Sequence, residues 1–451
     1  MSSQTSARPV SAAASDGLVE RRLVTLALVI GGAGLVAAAT LRPEVAMLAL
    51  LAAGYLLLLA LFGRERTAVL TLTAAFATAP MAKGLASAPD SPWTPTDMLL
   101  ALGILLLVPT LLTRAVRLPG TYLLGVAAIF VTGWLATAVS PDPLASALEF
   151  IQWLMLIVGL VCVVALWQPT ALVVSLLLGS YVAGHLVSVV VAFAEGPLEG
   201  GNRYVGLTHH PNALAEAGLM AVAALLYLFY LRRELWYRLI VLGSAALCVQ
   251  SVLMSGSRAA LLVIAGLVVM IPLVERSVFK GFILALGGAL LICALPVVIA
   301  ASSDGSALDR LAGTQDAEGS DRIRREATEK GLDAFQASPF IGSGFADVIE
   351  VHNVVVAVAM ATGLIGLIGF FFVLFSLTRP LFTHHPLRRL AYPAWAYVGL
   401  MAAVPVLDNR TLWLPVSLSA ACWAASRPPE RVQVPEEAAV QATASTSREG
   451  V

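Results

Sequence analysis

Apolar stretches of roughly 17–25 residues recur along this chain, each long enough to carry a helix across about 30 Å of hydrocarbon. A segment inside a bilayer must satisfy its own backbone, and at these lengths it does so as a helix. Such runs lie near 23–41, 44–62, 67–82, 97–113, 120–139, 146–167, 170–193, 212–231, 236–255, 257–274, 280–301, 352–377, 391–405 and 411–425. The third and the last two are short. The expected fold is therefore an all-α integral membrane bundle of about 12–14 transmembrane helices. Of the 451 residues, 59% are apolar and only 12% charged, whereas a soluble domain is about a quarter charged. Nothing before the C-terminal tail has the charge to coat a soluble domain. Lys+Arg and Asp+Glu both total 28, so net charge is silent about partners, and no nucleic-acid partner is expected.

The ends read differently from the middle. Residues 1–22 are polar and Ser/Ala-rich, and the first apolar run follows Arg21-Arg22, so they read as a cytoplasmic tail and not as a cleavable signal. Residues 426–451 are rich in Pro, Glu, Ala, Ser and Thr and read as a disordered cytoplasmic tail. Residues 23–425 form the membrane domain between them. Cys162, Cys248, Cys293 and Cys422 all lie in apolar runs with no CxxC spacing, so neither a disulfide nor a metal site is assigned to them.

Orientation follows from the positive residues in the short loops. With the N-terminus cytoplasmic, the inside loops hold Arg64, Arg66, Arg114, Arg117, Arg232, Arg233, Arg238, Arg276, Lys280, Arg379, Arg388 and Arg389. The outside loops hold only Arg42, Lys83, Arg203, Arg258 and Arg410. This bias places segments 194–211 and 302–351 outside. The second carries ten acidic residues against five basic ones, as a translocated loop can.

The outward arginines are then informative. Arg258 lies in Ser-Gly-Ser-Arg-Ala-Ala between two apolar spans. An arginine in hydrocarbon costs about 2.5–3.5 kcal/mol on insertion scales, and is kept where it faces a cavity, a partner or the interface. It reads either as a snorkelling interface residue or as an anion-binding group among small neighbours. Arg203 lies in a loop running into Thr-His-His-Pro-Asn-Ala, where Pro211 restricts the residue before it and Asn212 is placed to cap the next helix. An arginine beside an outward helix N-terminus suits a phosphate. An ordinary capped loop is the plainer reading.

Segment 302–351 contains an amphipathic helix. On a wheel of about 100° per residue, Ile323, Ala327, Gly331, Ala334 and Phe335 share one side. Arg322, Arg325, Glu326, Glu329, Lys330 and Asp333 share the other. Such a helix lies over a membrane domain. Arg324 projects from the middle of the apolar face, either snorkelling or reaching into a site beneath. The turn Ser338-Pro339-Phe340-Ile341-Gly342-Ser343-Gly344-Phe345 follows. His352-Asn353 then opens the next span, level with Arg203 and Arg258 in this topology. Histidine ordinarily titrates near neutrality and suits proton removal from a hydroxyl, although a lone histidine is more often structural.

In this order, Arg203 with Gly206 and Pro211-Asn212, Ser257-Arg258, the arginine-led helix ending Ser-Pro-Phe-Ile-Gly-Ser-Gly-Phe, His352-Asn353 and Gly363-Leu364-Ile365-Gly366 resemble the O-antigen ligase and polymerase-like membrane glycosyltransferases. The resemblance rests on residues 200–377, its ligase-like core, and extends to most of the chain through the helical architecture. It implies a GT-C-like bundle in the bacterial plasma membrane. The implied activity is transfer of a glycan from a polyprenyl-diphosphate carrier to a hydroxyl of a lipid, glycan or protein acceptor at the extracytoplasmic face, direct and inverting, with no cofactor and no divalent metal. By resemblance Arg203 and Arg258 engage the donor diphosphate and His352 acts as base. Arg324, His210, Asn212 and Asn353 complete the candidate binding set. Ligase and polymerase would share this chemistry, and both stay open.

The sequence also departs from the pattern. The aromatic residue often found shortly after the helix arginine is absent, with Ala327 and Thr328 there instead. Arg322, Arg324 and Arg325 compete for that arginine's role, and only the wheel favours Arg324. His209, His210, Glu216 and His352 invite a metal site, but their spacing matches no standard ligand set. The rival class is a transporter or flippase. Against it, the spans show no obvious internal repeat, and Glu149 and His185 are the main charged or titratable residues inside them. A structural scaffold leaves the converging arginines unexplained.

Overall fold

A computed structural model describes residues 31–32, 43–81, 94–198, 202–301, 307–311, 315–346, 351–403, 407 and 409–424. The predicted first span, both tails, Arg42 and Lys83 lie largely or wholly outside them. Among the described residues there is helix and no strand. The helices are α1 (Pro43–Phe62), α2 (Arg64–Thr78), α3 (Pro95–Thr113), α4 (Gly120–Val139), α5 (Pro143–Trp167), α6 (Ala171–Glu195), α7 (Pro211–Phe229), α8 (Leu235–Ser255) and α9 (Arg258–Glu275). They continue with α10 (Val278–Ala301), α11 (Ala307–Leu311), α12 (Gln315–Ala337), α13 (Val354–Thr378), α14 (Tyr392–Leu400) and α15 (Arg410–Ser417).

Eight of these, α3 to α9 and α13, are long and apolar enough to cross a membrane, among the described residues. Shorter apolar stretches cover Ala52–Phe62 and Val278–Leu290. The protein is an integral membrane helical bundle. Its outer surface is apolar: Leu105, Leu112, Val139, Val190, Ile240 and Val269 are all more than half exposed, as side chains facing lipid tails are. The predicted span 391–405 ends as helix at Leu400, and 411–425 divides into α15, a 3-10 turn and a final helical turn at Ala421–Ala424.

α7 is the centre of the bundle, 78% buried, whereas α3 and α9 are 22% buried at its edge. Helices attract one another in lipid through close packing more than through exclusion of water, so small residues gather where they touch. α4 and α13 meet this way. A side chain at Gly125 would strike the Gly369 carbonyl, and one at Gly369 would crowd Ala128. Thr121 and Ser376 hydrogen-bond across the same contact at 2.7 Å. α5 widens into a π-turn at Met155–Leu160, and the Ile157 carbonyl there accepts from the Tyr122 hydroxyl at 2.9 Å.

α13 is broken in a way its apolar sequence conceals. Gly363 has φ 67° inside the helix, a conformation other residues adopt only under strain. The break receives the 338–345 turn. Ser343 N–H donates to the Met360 carbonyl at 2.8 Å, Gly344 N–H to the Ala361 carbonyl at 3.2 Å, and Leu364 N–H to the Pro339 carbonyl at 2.8 Å. Gly342, with φ 87°, lies against the Ala361 carbonyl. The turn is anchored further by Phe345, which stacks on Phe150 with centroids 4.8 Å apart and whose N–H donates to Ser146 Oγ at 2.8 Å. The C-terminus of α12 is thereby pinned to the middle of α13.

α12 bears out the predicted amphipathic helix, with one correction to its apolar face. Gly331 is buried, and Ala327, Ala334 and Phe335 are half-buried, but Ile323 is 59% exposed. The inner stripe instead runs through Asp321, Arg324, Ala327, Thr328, Gly331 and Ala334, at the three- and four-residue spacing of a helix face.

Candidate functional site

The loop from Asn202 to His210 is fastened across one end of the bundle. Tyr204 N–H donates to the Met254 carbonyl at 3.2 Å, and Leu207 N–H to Ser188 Oγ at 3.0 Å. Arg203 is thereby held between two helices. Its Nε donates to the Ser255 carbonyl at 2.6 Å, and its Nη2 to Asn212 Oδ1 at 2.7 Å. Burial first, then the neighbouring guanidinia of Arg310 and Arg324, bring the Arg203 pKa down from its ordinary value to about 10, which still leaves it charged at neutral pH.

Asn212 does not cap α7 as expected. Pro211 occupies the first helical position, where its missing N–H costs nothing, so the cap falls to His210. The His210 Nδ1 accepts from Asn212 N–H at 3.1 Å. Asn212 turns its side chain to Arg203 instead. Burial, then the positive charges of Arg203 and Arg324 and the His352 ring, lower the His210 pKa below its ordinary value. A neutral imidazole is also what an accepting Nδ1 requires.

Arg258 is the first residue of α9 and pairs with the Asp321 carboxylate of α12. Their side chains are 25% and 41% exposed. The hydrogen bond from Arg258, reinforced by the charges of Arg258, Arg324 and Arg310, holds the Asp321 carboxyl below the usual carboxylate range. The three arginines competing on α12 now separate. The Arg322 side chain is 77% exposed beside Glu326, and Arg325 is exposed. Arg324 is half-buried, and burial is the first cause lowering its pKa.

Arg324 and His352 line a common cleft of about 580 Å³, with Asp321, Arg325, Thr328 and Ala402 among its walls. His352 is half-buried there, just before α13. Asn353 caps α13, its Oδ1 accepting from Val355 and Val356 N–H at 3.0 and 3.3 Å. Val354 N–H donates to the Met401 carbonyl at 2.8 Å, which brings the 401–403 turn against the cleft. Arg203, Arg258, Arg324, His210, Asn212, His352 and Asn353 are thus brought to one end of the bundle.

Sequence reasoning missed two residues. Asp321 was only one acid among many in segment 302–351. Arg310, on α11, is 5% exposed and donates from Nη1 to the Gly256 carbonyl at 2.9 Å. The only signal for it was a basic residue inside the short apolar pattern Ala307-Leu308-Asp309-Arg310-Leu311. Other polar residues are spent on structure. Arg410 ties α15 to the Thr94–Asp97 capping box of α3. His185 is buried, its Nε2 2.9 Å from Ser251 Oγ. Glu216 is buried and accepts from Asn409 Nδ2 at 2.9 Å. Among the described residues, no three His, Cys, Asp or Glu side chains lie close enough to share a metal ion.

Residues 243–371 match the family model described as O-antigen ligase. The matched stretch begins in α8 and ends in α13, so it contains Arg258, Arg310, Asp321, Arg324, His352 and the 338–345 turn. Arg203, His210 and Asn212 precede it. A comparison with curated proteins finds no match. The resemblance to the O-antigen ligase and polymerase-like family is supported over these residues, and with it a ligase- or polymerase-like transfer of glycan in polysaccharide assembly.

Proposed function

We propose that this protein is a membrane glycosyltransferase that moves a glycan from a polyprenyl-diphosphate carrier to a hydroxyl acceptor at the extracytoplasmic face of the bacterial plasma membrane. The observation that carries the reading is one cleft lined by Arg324 and His352 at one end of an apolar bundle, with Arg203 and Arg258 near enough to Arg324 for their charges to act on one another. Partly buried guanidinia repel one another, and each raises the cost of charging the next. An anion shared among them relieves that cost. A lipid-linked diphosphate supplies such an anion, with its tail in the bilayer.

In this reading the acceptor oxygen forms a bond to the anomeric carbon of the donor sugar, on the face opposite the diphosphate. His352 accepts the hydroxyl proton as that bond forms. The bond between the anomeric carbon and the diphosphate oxygen breaks, and its electron pair leaves on the diphosphate. Arg203, Arg258 and Arg324 stabilise that charge through charge-assisted hydrogen bonds. A single displacement inverts the anomeric centre and calls for no metal. His210 and Asn212 orient Arg203 by the bonds already described, and Asn353 sets the start of α13 behind His352. Ligase and polymerase differ only in the acceptor admitted to the cleft.

The test is transfer by the purified full-length protein and its variants. Arg258→Ala and His352→Ala are expected to abolish transfer while membrane abundance stays near that of the unaltered chain. Full transfer by His352→Ala would remove the base assignment.

A further inference from the structure

We propose that Arg310 is a positioning residue of the donor site, holding the Ser255–Gly256–Ser257 turn in the register from which Arg258 meets the diphosphate. The inference rests on the donor-site reading above. Two successive carbonyls of this turn accept from two different arginines: Ser255 from Arg203 Nε at 2.6 Å, and Gly256 from Arg310 Nη1 at 2.9 Å. Gly256 ends α8 with φ 73°, and Ser257 N–H folds back onto Ser255 Oγ at 3.3 Å. The next residue is Arg258, the start of α9. The turn is therefore clamped by the 202–210 loop through Arg203 and by α11 through Arg310. Any movement of either clamp moves the base of the Arg258 side chain.

Packing alone does not account for an arginine here. The side chain is 5% exposed on a five-residue helix that lies against the ends of α8 and α9. A leucine or methionine would fill such a place without desolvating a charge, and a buried cation must be paired and hydrogen-bonded to be tolerated. Arg310 also sits close enough to Arg203 to lower its pKa. With a diphosphate between Arg203 and Arg258 it becomes part of the field that holds the anion. The guanidinium suits this double task, because it stays charged while it donates to the Gly256 carbonyl.

The experiment measures binding of inorganic pyrophosphate to the detergent-purified full-length chain, with the thermal unfolding midpoint read on the same samples. The unaltered chain is expected to bind. Arg310→Gln is expected to bind about ten-fold more weakly, the effect of losing one charge-assisted hydrogen bond. Arg310→Lys, which keeps the charge and one donor, is expected to fall between them, with an unchanged midpoint. If Arg310→Gln does not accumulate, Arg310→Lys alone decides. Binding by the unaltered chain that the variant fully retains would overturn the assignment of Arg310 and leave the donor-site reading standing. Weaker binding accompanied by a matching fall in midpoint in both variants would also overturn it, since the residue would then serve only the fold. Failure of the unaltered chain to bind pyrophosphate would overturn the donor-site reading itself, and this inference with it.

Discussion

Arg258 already holds an anion, the Asp321 carboxylate of α12. Both partners are partly exposed, and a pair of that kind is worth at most about 1 kcal/mol. A diphosphate can displace the carboxylate at small cost, and Asp321 competes with it for the same guanidinium. Asp321→Asn should therefore raise pyrophosphate affinity about two- to five-fold at low salt, the range such a pair allows, with the gain shrinking as salt is added. Calorimetry across a salt series reads both effects, and unchanged affinity would remove Asp321 from the anion site. His210 makes the pH dependence of the site specific. Its pKa is lowered in the fold, so below the ordinary value of 6.5 the unfolded chain binds more protons than the folded one. Stability is then full above about pH 6.5 and falls as the pH drops below it. Protonation also removes the Nδ1 acceptor that caps α7. The unfolding midpoint should fall between about pH 7 and pH 5.5, and His210→Asn, which caps without titrating, should flatten that part of the profile.

At the scale of elements, the seat of the 338–345 turn on broken α13 fixes where His352 stands. Gly363 carries φ 67°, and a side chain there would run into the Phe340 carbonyl. Gly363→Ala should cost at least about 1–2 kcal/mol for the left-handed backbone alone, and more for the collision. The expected outcome is a lower unfolding midpoint together with a loss of transfer, because the half of α13 that follows His352 loses its register. The sequence revealed this motif as a Gly/Pro turn before an apolar span, but not the break. A continuous apolar run reads as a continuous helix, and the positive φ of Gly363 is imposed by a docking turn some twenty residues earlier. The same limit explains the other differences. The wheel singled out Arg324 because its position on the helix is local information. It misassigned Ile323, because which edge of α12 meets the bundle depends on Arg258 and the 401–403 turn. Asn212 looks like a cap by residue type, but His210 takes the cap and Arg203, nine residues earlier in the preceding loop, takes the Asn212 side chain.

At the scale of the molecule, hydropathy made the bundle legible, since lipid demands long apolar helices whatever their order. It could not show that α7 is the axis and α3 and α9 the margin. At the opposite end from the arginine site, α9, α10 and the 388–391 turn are locked by Glu275. Its side chain is 7% exposed and takes two hydrogen bonds from Arg389 at 2.8 and 2.7 Å, with Arg388 at 3.6 Å and Lys280 at 3.5 Å. Arg389 also lies 3.9 Å from the Tyr230 ring centroid. Glu275→Gln leaves three cations facing an uncharged amide and should destabilise the protein by about 3 kcal/mol. Transfer per folded molecule should be unchanged, because the lock does not touch the cleft. Lost transfer at full folding would mean that the two ends are coupled.

The central claim is that the arginine-bearing end of this bundle performs a reaction and does not merely give passage to a lipid. Proteoliposomes holding the full-length chain, a polyprenyl-diphosphate-linked glycan and a set of hydroxyl acceptors test it most directly, with the lipid-linked and acceptor-linked glycans resolved by mass. The account predicts a longer lipid-linked glycan or a glycan-capped acceptor, formed by the unaltered chain and not by Arg258→Ala or His352→Ala. Movement of the carrier between leaflets with no new glycosidic bond would contradict it.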